Sequence, residues 1–167
     1  MNLETINAWN EAEACESFGR CCGSTRWSRE MARLRPFESE AAVYEAADRL
    51  WWALDPSDWL EAFASHPKIG AREAPRPEHA ATAAWSAGEQ SGTERAGADV
   101  LEDLAELNRR YESQFGYIFI VCATGKSAAE MRGLLEARLA NDPGRELAIA
   151  AGEQARITHL RLEKLGE

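Results

Sequence analysis

The stretch Asp55-Pro56-Ser57-Asp58-Trp59-Leu60-Glu61-Ala62-Phe63-Ala64-Ser65-His66-Pro67 contains a whole helix with its start and stop signals. Asp55 is a natural N-cap, and Pro56 suits the first helical position because the N–H it lacks would have no intrahelical partner there. The spacing predicts a helix over Ser57 to Ala64. Pro67 has no N–H and biases His66 away from helical geometry, so the helix stops with an imidazole at its exit.

Working outward, the same grammar repeats. Upstream, Leu3, Ile6 and Trp9 lead into Ala14, Phe18 and Cys21 at three-to-four spacing, ending near Gly23. Thr25 to Leu34 reads as a short basic helix stopped by Pro36. Val43, Ala47, Leu50, Trp51 and Leu54 trace one apolar face from about Ser39. Downstream, Pro67, Gly70, Pro75 and Pro77 make 66–77 a loop, and helix resumes over Glu78 to Gly88 and Glu94 to Gln114. Tyr117 to Val121 is β-branched and aromatic but has no partner strand, and reads as an extended connector into a helix from Ser127 to Leu139. Asn141-Asp142-Pro143 repeats the cap-and-proline signal, and Glu146 to Leu165 forms a closing helix. No repeat and no linker divides the 167 residues. The expected fold is all-α, a single-domain bundle of about eight helices spanning 1–167. The tryptophans fall mostly on the predicted apolar faces and are expected in the core.

Composition narrows the partners. A net charge of −9 disfavours nucleic acid and anionic membrane, which both reward clustered Lys and Arg. No apolar run approaches a membrane span. Cys15, Cys21, Cys22 and Cys122 include no Cys-x-x-Cys pair and read as reduced, mostly buried thiols. The opening Met1-Asn2-Leu3-Glu4-Thr5 has no basic region followed by an apolar run, and Lys164-Leu165-Gly166-Glu167 is not a peroxisomal ending. Cytoplasm is the expected compartment.

Several chemistries lack their motifs. Gly125-Lys126-Ser127 mimics the end of a phosphate loop, but Ile120 stands where that loop needs glycine, so these residues start a helix instead. His66, His79 and His159 show no short metal-ligand spacing, and no metal or other cofactor is expected. No Gly-x-Ser-x-Gly elbow occurs. What remains is His66, with Ser86, Glu89 and Gln90 following in Trp85-Ser86-Ala87-Gly88-Glu89-Gln90. A ring that titrates near neutrality, a carboxylate, an amide and a hydroxyl suffice for proton transfer. From the residues alone the reading stops at an all-α domain carrying an acid–base candidate. A non-catalytic small-molecule binding protein, a metal-dependent hydrolase using His66, His79 and Glu89, and a protein-interaction domain all fit the same composition.

An ordered set of motifs goes further. His66-Pro67, Trp85-Ser86-x-x-Glu89-Gln90, Asn108-x-x-Tyr111, Phe115-Gly116, Phe119-Ile120-Val121-Cys122-Ala123 and Glu153-x-x-x-Ile157-x-x-x-Arg161-Leu162-x-x-Leu165 together resemble the 2-oxo-4-hydroxy-4-carboxy-5-ureidoimidazoline (OHCU) decarboxylase family of urate degradation. The resemblance covers nearly the whole chain. It implies a helical, cofactor-free, commonly dimeric enzyme that converts the ureidoimidazoline to (S)-allantoin and carbon dioxide. It also implies His66 as the proton-transfer residue, Glu89 as a second catalytic group, and Pro67 as the residue shaping the loop. Ser86 and Gln90 would bind substrate, Phe119, Ile120, Val121, Cys122 and Ala123 would form a wall, and Arg161 would face the substrate carboxylate, with Arg156 and Arg138 as neighbouring alternatives. Lys68-Ile69-Gly70 departs from the commoner Asp-Leu-Ala-Gly continuation.

Overall fold

The structure, a computed structural model, describes residues 1–68, 85 and 98–166. Eight helices stand among them: α1 (Leu3–Ala8), α2 (Glu11–Cys22), α3 (Thr25–Arg33), α4 (Glu40–Trp52), α5 (Pro56–Ala64), α6 (Ala98–Phe115), α7 (Ala128–Arg138) and α8 (Pro143–Leu162). No strand occurs among the described residues, so the all-α expectation holds. The expected helix over 78–88 and most of the 66–77 loop lie outside them.

Most helix ends follow from local chemistry. α5 opens at Pro56, with Asp58 and Trp59 N–H donating to the Asp55 carbonyl at 3.0 and 3.4 Å. α7 is capped by Ser127, which accepts from Glu130 N–H at 3.3 Å while the Glu130 carboxylate accepts from Ser127 N–H at 2.7 Å. The Ser127 N–H and, next, the Ser127 hydroxyl both donate to the Glu130 carboxylate at 2.7 Å and hold its carboxyl below the ordinary range. The Gly125-Lys126-Ser127 mimic is thus a helix start, with Gly125 at φ 78°.

Two boundaries differ from expectation. The first apolar run is two helices: Trp9 leaves helical geometry at ψ 144°, and Asn10 caps α2 by accepting from Glu13 N–H at 3.0 Å. Glu13 returns the bond, accepting from Asn10 N–H at 2.9 Å, and this reciprocal box outcompetes continuation of the helix. The closing helix starts earlier, at Pro143, and stops at Leu162 rather than Leu165. Beyond it Lys164 and Leu165 make tight turns back to Arg161 and Leu162 carbonyls at 3.2 and 3.0 Å.

Contacts divide the chain into two compact units. The first comprises Met1–Ala62 with Gln154–Glu167. Its core centres on Phe18, whose ring meets Trp9, Trp27 and Phe37 edge-on at 6.1–6.3 Å, geometries that aromatic quadrupoles favour. Trp27 and Trp51 are buried as expected, whereas Trp52 is 51% exposed. Cys21 and Cys22 are buried, and burial pushes both thiols up to about 12. His159 pairs with Asp48 at 2.8 Å and lies 5.0 Å from the Tyr44 ring.

The second unit, Phe63–Glu153, is built on α6, α7 and the start of α8. Leu104, Leu107 and Tyr111 from α6 pack with Met131 and Leu135 from α7, and Phe119, Val121 and Ala123 from the connector join them. No helix among the described residues is long and apolar enough to cross a membrane.

Candidate active site

The last turn of α5 sets His66 in place. Its N–H donates to the Phe63 carbonyl at 3.1 Å, a tight turn consistent with the proline that follows. His66 and Pro67 are half-buried. Phe63, in the second unit with His66, packs its ring 5.4 Å from that of Tyr117. Lys68 is exposed and pairs with Glu112 of α6 at 2.6 Å. Ser86, Glu89, Gln90, His79, Ile69 and Gly70 lie outside the described residues.

Phe119, Ile120, Val121, Cys122 and Ala123 are all buried, at 8% exposure or less. Their side chains alternate: Phe119, Val121 and Ala123 enter the hydrophobic core, and Ile120 and Cys122 do not belong to that cluster. Period two is the signature of an extended chain, as expected for this connector. The core-facing residues have their side chains committed to packing, so a ligand would meet them through backbone.

One edge of that backbone is held by charged side chains. Arg138 Nη1 donates to the Ile120 carbonyl at 2.7 Å. The Glu153 carboxylate accepts from Cys122 N–H at 2.8 Å, and Lys126 Nζ donates to the Cys122 carbonyl at 2.6 Å. In an extended chain, residues two apart aim their peptide groups at the same edge and the residue between aims at the other. The Val121 N–H and carbonyl have no hydrogen-bond partner among the described residues.

Arg138 is itself fixed by a buried network. Its Nε and Nη2 donate to Glu146 Oε1 at 2.7 and 2.5 Å, and Glu146 is fully buried. The Tyr111 hydroxyl donates to the same oxygen, and Asn141 Nδ2 donates to Oε2 at 2.7 Å. Burial, then the bond to Glu146, push the Tyr111 hydroxyl far above its ordinary range. The Arg138 guanidinium also lies 4.6 Å from the centre of the Phe119 ring. None of Tyr111, Arg138, Glu146 and Glu153 was among the expected site residues in these roles. The available signal was a charged residue at apolar spacing, as with Glu146 among the buried positions of α8.

Arg161 belongs to the first unit and is 2% exposed, with Nη1 donating to the Arg20 carbonyl at 3.4 Å. Arg156 is exposed. Among the described residues no group of three His, Cys, Asp or Glu side chains is gathered as metal ligands.

An all-helical chain with a histidine at a proline-stopped helix exit and a buried, charge-braced connector defines a class, and comparison identifies it. The OHCU decarboxylase family model matches residues 7–163, and the chain belongs to that family. It is 43% identical over 147 residues to a uric acid degradation bifunctional protein of Arabidopsis thaliana, covering 87% of this chain and 45% of that protein. The chain therefore spans under half of that relative. It is 31% identical to the 2-oxo-4-hydroxy-4-carboxy-5-ureidoimidazoline decarboxylase of Amia calva, covering 99% and 94% of the two chains. Among solved structures, an OHCU decarboxylase crystallised in the presence of (S)-allantoin superposes with a TM-score of 0.76 at 38% identity, covering 89% of this chain and 96% of that one.

Proposed function

We propose that this chain, as a single OHCU decarboxylase-like domain, decarboxylates 2-oxo-4-hydroxy-4-carboxy-5-ureidoimidazoline to (S)-allantoin and carbon dioxide. The observation that carries this reading is the family match across 7–163. Near-complete coverage of the Amia calva decarboxylase supports it.

Breaking the carbon–carboxylate bond leaves an electron pair on the ring carbon. The ring C=N bond at the adjacent ureido-bearing carbon takes up that pair as its nitrogen is protonated, so the substrate supplies its own electron sink. His66 takes the proton of the substrate hydroxyl as that carbon becomes a carbonyl, and its conjugate acid delivers the proton to one face of the adjacent ureido-bearing carbon, fixing the S configuration. Its half-buried position at the exit of α5 suits a ring that must meet substrate yet hold orientation. Glu89 accepts hydrogen bonds from ureido N–H groups, and its charge near the substrate carboxylate favours departure of neutral carbon dioxide. Ser86 and Gln90 orient the ureido and amide groups, and Pro67 shapes the loop. The 119–123 wall acts through the Val121 peptide groups, a donor and an acceptor that match a cyclic amide. Arg161 faces the carboxylate.

The net charge of −9 favours a small-molecule substrate over nucleic acid or anionic membrane. A cytoplasmic homodimer completes the reading, and mass from light scattering at about twice the chain mass checks the dimer.

His66→Asn tests the central role. The variant is expected to stay folded and to lose stereoselective (S)-allantoin formation above the spontaneous background, followed by circular dichroism on freshly generated ureidoimidazoline. Near-normal turnover would remove His66 from the chemistry. A wild-type protein that binds the substrate without changing its decay rate or the product's chirality would make this a binding protein instead.

A further inference from the structure

The wall segment needs an explanation that its own residues do not supply. Buried backbone N–H and carbonyl groups are almost always paired within the protein, and a segment lacking a partner strand must find other partners. Here the partners of one edge are ionic side chains from other elements: Arg138 from the end of α7, Glu153 from α8, and Lys126 from the turn before α7. Charged donors and acceptors make stronger and more directional bonds to peptide groups than neutral ones do. Arg138 and Glu153 grip the peptide groups of residues on either side of Val121 and leave those of Val121 directed to the opposite edge.

We propose that Glu153, together with Arg138, is a positioning residue: by fixing Cys122 N–H and the Ile120 carbonyl, the pair presents the Val121 peptide groups to the substrate's ring amide. This rests on the decarboxylase reading given above. Glu153 touches no reacting atom in this scheme, and its effect is on binding geometry. Arg138 cannot slide along the segment, because Glu146 clamps it on the far side. Glu153 is half-buried, whereas Arg138 is tied into the buried network of Glu146, which makes Glu153 the one to change.

The experiment compares the wild type, Glu153→Ala and Glu153→Gln on freshly generated ureidoimidazoline, reading initial rates of (S)-allantoin formation by circular dichroism. Glu153→Ala should raise KM about tenfold with kcat held within about threefold, because binding geometry rather than proton transfer is lost. Glu153→Gln keeps an acceptor oxygen and should return KM to within about threefold of wild type. A folded Glu153→Ala protein with wild-type KM overturns the proposal, as does a loss confined to kcat in both variants. A wild type that forms no (S)-allantoin above background overturns the decarboxylase reading itself, so the two failures are distinct. Amide exchange on the wild type decides the matter if Glu153→Ala does not fold. Cys122 N–H should exchange slowly with or without (S)-allantoin, whereas Val121 N–H should be slowed only when (S)-allantoin is added. A Cys122 amide that exchanges as fast as that of Val121 overturns the clamp.

Discussion

Replacing Glu146 with glutamine removes one negative charge from a fully buried site and alters almost nothing in shape. The carboxylate receives Arg138 at 2.7 and 2.5 Å, Asn141 at 2.7 Å, and the Tyr111 hydroxyl. In Glu146→Gln a single amide oxygen remains to accept, and the new NH2 group faces a donor, either Asn141 Nδ2 or Arg138. Arg138 is 8% exposed and keeps its charge without the countercharge. Breaking a buried pair by removing one partner costs about 3–5 kcal/mol, and the retained acceptor oxygen places this case near the lower figure, about 3 kcal/mol. For a chain of this size that corresponds to a fall in Tm of roughly 6–12 °C. Calorimetry and urea unfolding at pH 7, followed by tryptophan fluorescence, measure it. A second variant sharpens the test: Arg138→Met with Glu146→Leu removes both charges and should lose less than the two single changes added together. It still strands the Ile120 carbonyl and the Tyr111 hydroxyl, at about 1–3 kcal/mol each. A Tm loss below about 2 °C for Glu146→Gln would show that water reaches this carboxylate and that the network is not the buried brace described here.

The remaining expectations concern pH, thiols and the surface. The Cys21 and Cys22 thiols rise from 9.0 to about 12 in the fold. Their contribution is full below about pH 9 and falls as pH rises from there toward about 12, since only the unfolded chain releases those protons; the combined slope is about 2.7 kcal/mol per pH unit. Alkaline unfolding should flatten in Cys21→Ala and Cys22→Ala. Tyr111 adds to the same loss above about pH 10, and Tyr111→Phe should remove that part. Thiol titration of the native protein should find Cys15 reacting first, with Cys21, Cys22 and Cys122 reacting only after denaturant, because buried thiols are inert. Lys68→Ala should change stability by less than about 1 kcal/mol, since its pair with Glu112 is exposed on both sides.

Helix content was readable because its signals are local. Asp55-Pro56, Ser127 and Asp142-Pro143 each announce a start locally, and the structure opens α5, α7 and α8 at those points. The break between α1 and α2 was equally local, in Asn10 and Glu13, but a continuous apolar spacing across Trp9 masked it. His66-Pro67 was legible for the same reason: proline dictates the geometry of its neighbour, whatever the rest of the chain does. The bracing of 119–123 was not legible. Its partners lie 18 and 31 residues away, on helices whose sequence says that Arg138 and Glu153 are charged but not what they face. Nor does a run of five apolar residues declare which of its faces is core; that is settled by the packing of Leu104, Met131 and Leu135 around Phe119 and Val121.

The same distinction separates the arginines that sequence proximity left together. A guanidinium offered to a substrate carboxylate must bring net positive charge, for two unit charges of opposite sign attract only to the extent that neither is already neutralised. Arg138 is neutralised: Glu146 holds two of its nitrogens and the Ile120 carbonyl a third. Its charge therefore serves to fix backbone, and a substrate anion brought beside it would compete with a fully buried carboxylate. Arg156 is exposed, where water and salt screen its field. Arg161 is buried in the first unit. Its buried charge reaches the Cys21 and Cys22 thiols, lowering their pKa against the larger opposing effect of burial. That influence is exercised inside the first unit, on groups that burial has already raised.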